Sequence, residues 1–152
     1  MITTLCYIEK DDKYLMLYRN KKKDDLNEGK WIGIGGKIED NETPLECVVR
    51  EIKEETGLNA IDPVLQGLVS FSYNDNESEY MYLYTCKDFT GNVLDNCNEG
   101  ELKWINKSDI LSLSLWEGDR IFLPLLDKKS DIFYLTLRYL DDNLIDYQLE
   151  YD

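Results

Sequence analysis

The chain has 152 residues, 43% of them hydrophobic and 12% aromatic, values of a folded protein with a buried core rather than of a disordered one. Its formal charge of −14 repels nucleic-acid backbones and disfavours a direct nucleic-acid partner, but a small phosphorylated substrate stays compatible if cations bridge it to the acidic groups. No apolar run approaches the ~20 residues of a membrane span, and Met1-Ile2-Thr3-Thr4-Leu5 lacks a basic then apolar leader, so a cytoplasmic protein of one domain, residues 1–152, is expected. There is no histidine, which removes His-based triads and most zinc sites. Cys6, Cys47, Cys86 and Cys97 form no C-x-x-C pair and read as buried, reduced thiols. Acid–base or metal chemistry here must run on carboxylates.

Taken in order, residues 3–8 and 13–19 are short apolar and aromatic runs around the turn-like Glu9-Lys10-Asp11-Asp12, a β-hairpin. Residues 20–30 are polar and form a loop, with Lys21-Lys22-Lys23 as a solvated tip. Residues 31–36, Trp-Ile-Gly-Ile-Gly-Gly, carry the glycine density of a strand end that faces a ligand or approaches another backbone closely. Thr43-Pro44-Leu45-Glu46 then combines an N-cap, a proline at the first helical position and a glutamate at N3, a capping box. Leu45, Val48, Val49 and Ile52 mark one apolar face, and Gly57 ends the helix. Residues 64–73 and 79–87 read as strands around a turn at 74–78, and 101–105 as another strand. Residues 116–128 read as a second helix bent or shortened by Pro124, and 132–140 with 144–151 as a hairpin across Asp141-Asp142-Asn143. Strands with two helices between them give an α+β fold built around one sheet.

On the first helix Glu51, Glu54 and Glu55 stand at i, i+3 and i+4, so they share a face, expected opposite the apolar one. Like charges at that spacing repel, and hard divalent cations such as Mg²⁺ or Mn²⁺, which take carboxylate oxygens and bridge to phosphates, relieve the repulsion. The spacing around them is more specific still. Gly36, Glu42, Arg50, Glu51, Ile52, Glu54, Glu55, Gly57 and Leu58 match G-x5-E-x7-R-E-U-x-E-E-x-G-U at every position, a chance event on the order of 10⁻⁹ per start site.

By this motif the chain resembles the Nudix hydrolases. The resemblance implies a mixed β-sheet sandwiched between helices, with the motif as a loop–helix–loop at the sheet edge. It also implies Mg²⁺- or Mn²⁺-dependent attack of water on a phosphorus of a nucleoside diphosphate derivative. It casts Glu51, Glu54 and Glu55 as metal ligands with the backbone of Gly35, Arg50 as the group that orients a glutamate, and Glu42 as a brace for the loop. Glu99, ahead of the strand at 101–105, is a further ligand or general base, and which carboxylate takes the proton stays open. Beyond the motif, residues 30–37 resemble the W-N-G-x-G-G-K segment of MutT-like enzymes. Leu115-Trp116-Glu117-Gly118-Asp119 with Leu123-Pro124-Leu125-Leu126 is similar to the 8-oxo-dGTP diphosphatases of animals. Carried over, Trp116 stacks on a purine, Asp119 bonds its edge and Arg19 lies near the phosphates.

Two positions depart from that branch: Ile32 replaces a base-reading asparagine, and Gly118 replaces one of two neighbouring acids, which lowers the expected base discrimination. The expected activity is a pyrophosphohydrolase of oxidised purine nucleoside triphosphates that releases the monophosphate and pyrophosphate. The alternatives are a hydrolase of diadenosine polyphosphates or other nucleoside-diphosphate-linked compounds, for which Tyr73 falls at a suggestive position, and a silent nucleotide-binding module. The partner is a small nucleotide, and monomer and homodimer are both open.

Overall fold

The computed structural model describes residues 1–74, 77–95, 97–126 and 131–152. Ile2–Lys10 (β1) and Lys13–Arg19 (β2) form the expected hairpin, closed by a two-residue turn with Asp11 at φ 52° and Asp12 at φ 61°. Both are left-handed, the backbone a two-residue antiparallel connection requires and short polar side chains tolerate. Only the turn end of the hairpin is paired, from Ile8 opposite Leu15 to Lys10 opposite Lys13. Beyond it the strands splay, and the wedge is filled by Trp31–Ile32 (β3) against β2 and Ile34–Lys37 (β4) against β1. The glycine-rich run thus lies where two strands part.

The far edge of β1 runs parallel to Glu79–Cys86 (β7), which pairs antiparallel with Val64–Tyr73 (β6). Phe133–Leu140 (β10) lies parallel to β6, and Asn143–Tyr151 (β11) closes that side. Gly100–Asn106 (β9) covers β2 on its other edge along the whole strand. The result is a mixed sheet. A separate pair, Asn59–Ile61 (β5) with Asp88–Thr90 (β8), has strands too short to show periodicity and was not expected from sequence.

Alternation along β1 and β2 builds two cores. Cys6, Ile8, Leu15 and Leu17 face Val48 and Ile52 of the first helix, while Tyr7, Tyr14 and Met16 face Phe122 and Leu123 of the second. The sheet is sandwiched between helices, as expected. All four cysteines are free and buried. No helix among the described residues is long and apolar enough to cross a membrane.

Pro44–Thr56 (α1) has the expected ends: Thr43 Oγ1 accepts from the Glu46 N–H (3.1 Å), the Glu46 carboxylate accepts from the Thr43 N–H (2.9 Å), and Gly57 takes φ 82°. Its buried face differs from the expected one. Leu45 is 47% exposed, and Cys47, Val48, Ile52, Glu55 and Thr56 are inside. Glu55 lies seven residues after Val48 and three after Ile52, so helical geometry puts it on the apolar face rather than opposite it. The second helix is also shorter than expected. Glu117–Phe122 (α2) spans six residues, and Pro124 forces the continuation into a 3₁₀ turn over Leu123–Leu125. Lys128 at its expected end, and Asp75 and Asn76 in the expected turn, lie outside the described residues.

Candidate active site

The site begins where β4 meets α1. A Cβ on Gly35 would sit 1.9 Å from the Thr4 carbonyl oxygen, and one on Gly36 would sit 2.5 Å from the Glu51 carboxyl. Strand approach therefore requires glycine at position 35, while glycine at position 36 leaves the Glu51 carboxyl its seat. Arg50 organises the acids around it. Its Nε and Nη2 donate to the two oxygens of Glu42 (2.6 and 3.0 Å). Nη1 donates to Glu51 (2.9 Å) and Glu54 (3.2 Å), and Nη2 reaches the Lys37 carbonyl (3.2 Å). The hydrogen bonds from Arg50 hold Glu42 down to about 2, and Glu42 in turn accepts from the Glu39 N–H (3.0 Å), tying the loop shut. Burial pushes Glu51 above the usual carboxylate range even against its pairing with Arg50.

Glu55 is buried and accepts from the Gly35 N–H at 3.1 Å. Burial, then a hydrogen bond to Glu99 and the charges of Glu99 and Glu51, push it up to about 10. The shared hydrogen bond lowers Glu99 in turn, helped by Arg19 and Lys22. Glu55 thus keeps the proton and donates to the Glu99 carboxylate. Arg19 Nη1 and Lys22 Nζ each stand 3.3 Å from Glu99, one at each oxygen. As placed, no three acidic side chains among the described residues close on a single ion. Each of the five glutamates is instead balanced by a guanidinium, an ammonium or a proton. The donor set is nonetheless all carboxylate oxygen with one buried acid, the chemistry that suits a hard divalent cation.

From Gly35 and Gly36 a cleft of about 240 Å³ runs past Arg19 and Ile32 to Trp116 and Asp119, walled by Phe71, Tyr73, Met81 and Tyr139. Trp116 is half-buried. Its Nε1–H donates to Asn27 Oδ1 (2.8 Å), its ring meets Tyr73 and Tyr139 edge-on at 5.9 and 5.7 Å, and the Lys30 ammonium lies 5.2 Å from its centre. Asp119 is buried, and burial raises its carboxyl to about 7, with Lys30 and Arg120 partly offsetting the rise. Gly118, where the resembled branch has an acid, sits against Leu137 and Tyr139: a Cβ would come within 2.4 Å of Leu137 Cδ1, and its N–H donates to Tyr139 Oη at 2.8 Å.

The structure therefore gathers Glu42, Arg50, Glu51, Glu54, Glu55 and Glu99 around Gly35 and Gly36, and lines one cleft with those two glycines, Arg19, Ile32, Trp116 and Asp119. Lys21, Lys22 and Lys23 are exposed, as expected of a solvated tip, and two of them also make contacts: Lys21 donates to the Cys97 carbonyl (3.0 Å), and Lys22 faces Glu99. Sequence reasoning missed Asn27, Lys30 and Tyr139, and gave Tyr73 little weight among eleven tyrosines. No local pattern marks them, because the fold alone brings them to the cleft.

Similarity to known proteins agrees with this architecture. An "Uncharacterized Nudix hydrolase YvcI" of Bacillus subtilis is 32% identical over 97% of this chain and 92% of that protein. An "Oxidized purine nucleoside triphosphate hydrolase" of Mus musculus is 28% identical, covering 84% of this chain and 82% of its own length. The crystal structure of a Mutator MutT protein from Bacillus halodurans superposes with a TM-score of 0.87 at 29% identity, over 98% of this chain and 97% of that one. The NUDIX domain family model matches residues 1–126, and with the motif, the fold and these relatives in agreement the chain belongs to the Nudix hydrolase family.

Proposed function

We propose that the protein is a divalent-cation-dependent pyrophosphohydrolase of purine nucleoside triphosphates with an oxidised base, such as 8-oxo-dGTP, releasing the nucleoside monophosphate and pyrophosphate. One observation carries the reading: a single cleft runs from Gly35 and Gly36, which lie against the Glu55 and Glu51 carboxyls, to an aromatic wall and the buried Asp119. In this reading the ligands of Mg²⁺ or Mn²⁺ are drawn from Glu51, Glu54, Glu55 and Glu99, beside the Gly35 backbone. Bound there, the ion supplies neutralisation of polyphosphate charge and a water of lowered pKa. Arg50 fixes the direction of Glu51 and Glu54 through its bonds to both, and Glu42 fixes Arg50. A glutamate not engaged by the ion accepts the proton of the attacking water. Arg19, held by Asp25 at 2.7 Å, presents a cation to the phosphates.

At the other end Trp116 offers its ring to the purine. Asp119, raised to about 7, carries a proton for part of its population at neutral pH and so can donate to an acceptor on the base edge. Ile32 contributes packing only, so discrimination rests on Asp119. The name of the mouse relative supports the same substrate class. A second reading, a diadenosine polyphosphate or other nucleoside-diphosphate-linked substrate, draws on Tyr73 in the cleft wall beside Trp116. A silent binding module is the third, disfavoured because every glutamate of the motif is present.

The test is Mg²⁺-dependent product release from 8-oxo-dGTP, 2-hydroxy-dATP, the unmodified deoxynucleotides, diadenosine tetraphosphate and ADP-ribose. The expected result is that an oxidised purine has the highest kcat/KM and that EDTA abolishes turnover. Equal turnover of unmodified nucleotides would refute the substrate assignment, and no turnover of any compound would favour the silent module.

A further inference from the structure

The loop of residues 20–30 spans the two ends of the cleft, and three of its polar side chains are anchors. Lys21 is bound to the Cys97 carbonyl, Asn27 to Trp116, and Asp25 to both Arg19 and the Asn27 N–H (3.1 Å). Lys22 is different. Its side chain is 57% exposed, and among the described residues its one partner is Glu99 Oε1 at 3.3 Å. Arg19, on the other oxygen of the same carboxylate, is only 11% exposed and pinned by Asp25, so it is fixed where Lys22 is free to swing.

We propose that Lys22 is an exchangeable counter-ion: it neutralises Glu99 while no divalent cation is bound, and it passes to the polyphosphate of the nucleotide once the cation takes that carboxylate. The inference rests on reading Glu99 as a metal ligand. Glu99 is only 24% exposed and has Arg19 on one oxygen and Lys22 on the other, each at 3.3 Å, so its charge is offset from both sides. An ammonium and a divalent ion that seek the same carboxylate exclude each other. A lysine suits such a role, being a compact charge on a flexible four-carbon stem, where the forked guanidinium of Arg19 is held by two acids at once. Once displaced, the ammonium meets the most anionic group that enters the site. Lys22 therefore acts with opposite signs at two stages: it opposes the cation in the empty site and favours the nucleotide in the filled one. The consequence is a site biased to take its cation together with its substrate.

Lys22→Ala tests both signs. Calorimetric titration with Mg²⁺ and no nucleotide is expected to show about two- to fivefold tighter binding, the scale of an exposed ion pair. With any nucleoside triphosphate the wild type turns over, KM is expected to rise about tenfold or more while kcat stays within about twofold, since a charge-assisted phosphate contact is lost. Lys22→Arg is expected to restore both values. Lys23→Ala, one residue along and without an ion pair among the described residues, controls for net charge and is expected to change neither beyond about twofold. In a Glu99→Gln background Lys22→Ala is expected to leave Mg²⁺ affinity unchanged. Weaker or unaltered Mg²⁺ binding in Lys22→Ala, or an unaltered KM, overturns the exchange. If Glu99→Gln alone keeps wild-type Mg²⁺ affinity, the ligand reading of Glu99 falls and the exchange with it. If Glu99→Gln weakens Mg²⁺ but Lys22→Ala has no effect, the exchange alone falls.

Discussion

Asp119 gives the folded protein a pH dependence of definite sign. In the unfolded chain its carboxyl titrates at the usual 3.8, and in the folded chain burial raises it to about 7. Between those values the native state holds a proton that the unfolded state has lost, so stability falls as pH rises, by about 1.4 kcal/mol per pH unit. The contribution is full below 3.8, is lost on the way to 7 and levels off above it. Integrated from pH 5 to pH 8, the loss is roughly 2–3 kcal/mol, out of roughly 4 kcal/mol over the whole range. Asp119→Asn keeps the shape and removes the titration. Every other ionisable group is common to the two proteins, so the difference between their urea-unfolding free energies at pH 5, 6, 7 and 8 isolates this carboxyl. The variant's advantage is expected to grow by roughly 2–3 kcal/mol across that series. A difference that stays flat to within about 0.5 kcal/mol would show that Asp119 ionises freely in the fold, and the proposed donor at the base edge would go with it.

Two further perturbations probe the ends of the cleft. Gly36→Ala places a Cβ about 2.5 Å from the Glu51 carboxyl. It is expected to lower kcat roughly 100-fold by displacing that group while the far-ultraviolet circular dichroism stays unchanged; wild-type kcat would show that Glu51 needs no fixed seat. Phe122→Ala empties a fully buried position that packs against Tyr7 at 6.0 Å between ring centres. It is expected to cost about 3–5 kcal/mol and to lower the calorimetric Tm by about 10 °C or more, and a loss below about 1 kcal/mol would contradict the packing described.

What was legible in the sequence was what neighbouring residues determine. Thr43, Pro44, Glu46 and Gly57 mark the ends of α1 because capping acts within four residues, and Asp11-Asp12 marks a hairpin for the same reason. The spacing of the glutamates is likewise local, so the cluster around Arg50 is legible in the motif, whereas Glu99 lies outside it. Glu55 was misplaced although the helical arithmetic was available: a carboxylate is expected outside, and Leu45 inside, until tertiary packing decides otherwise. The Trp116 end of the cleft was only half legible, because its contacts are long-range. Trp116 meets Asn27 across 89 positions, and Tyr73 meets Tyr139 in a stack at 5.6 Å only because β6 and β10 run side by side. The partner of Lys22 was hidden for the same reason, as Glu99 is 77 positions away.

The five hydrogen bonds that Arg50 donates to oxygen carry a consequence for which sequences this fold can accept. One flat cation joins a loop acid, two helix acids and a strand carbonyl, with its fork committed in three directions at once. A lysine would preserve the charge but could point toward one or two of these groups at a time, so loop and helix would lose their common reference and drift separately. Conservation of charge alone is therefore not tolerance at this position: a change that looks mild on paper leaves the carboxylates present and correctly charged, yet no longer aimed.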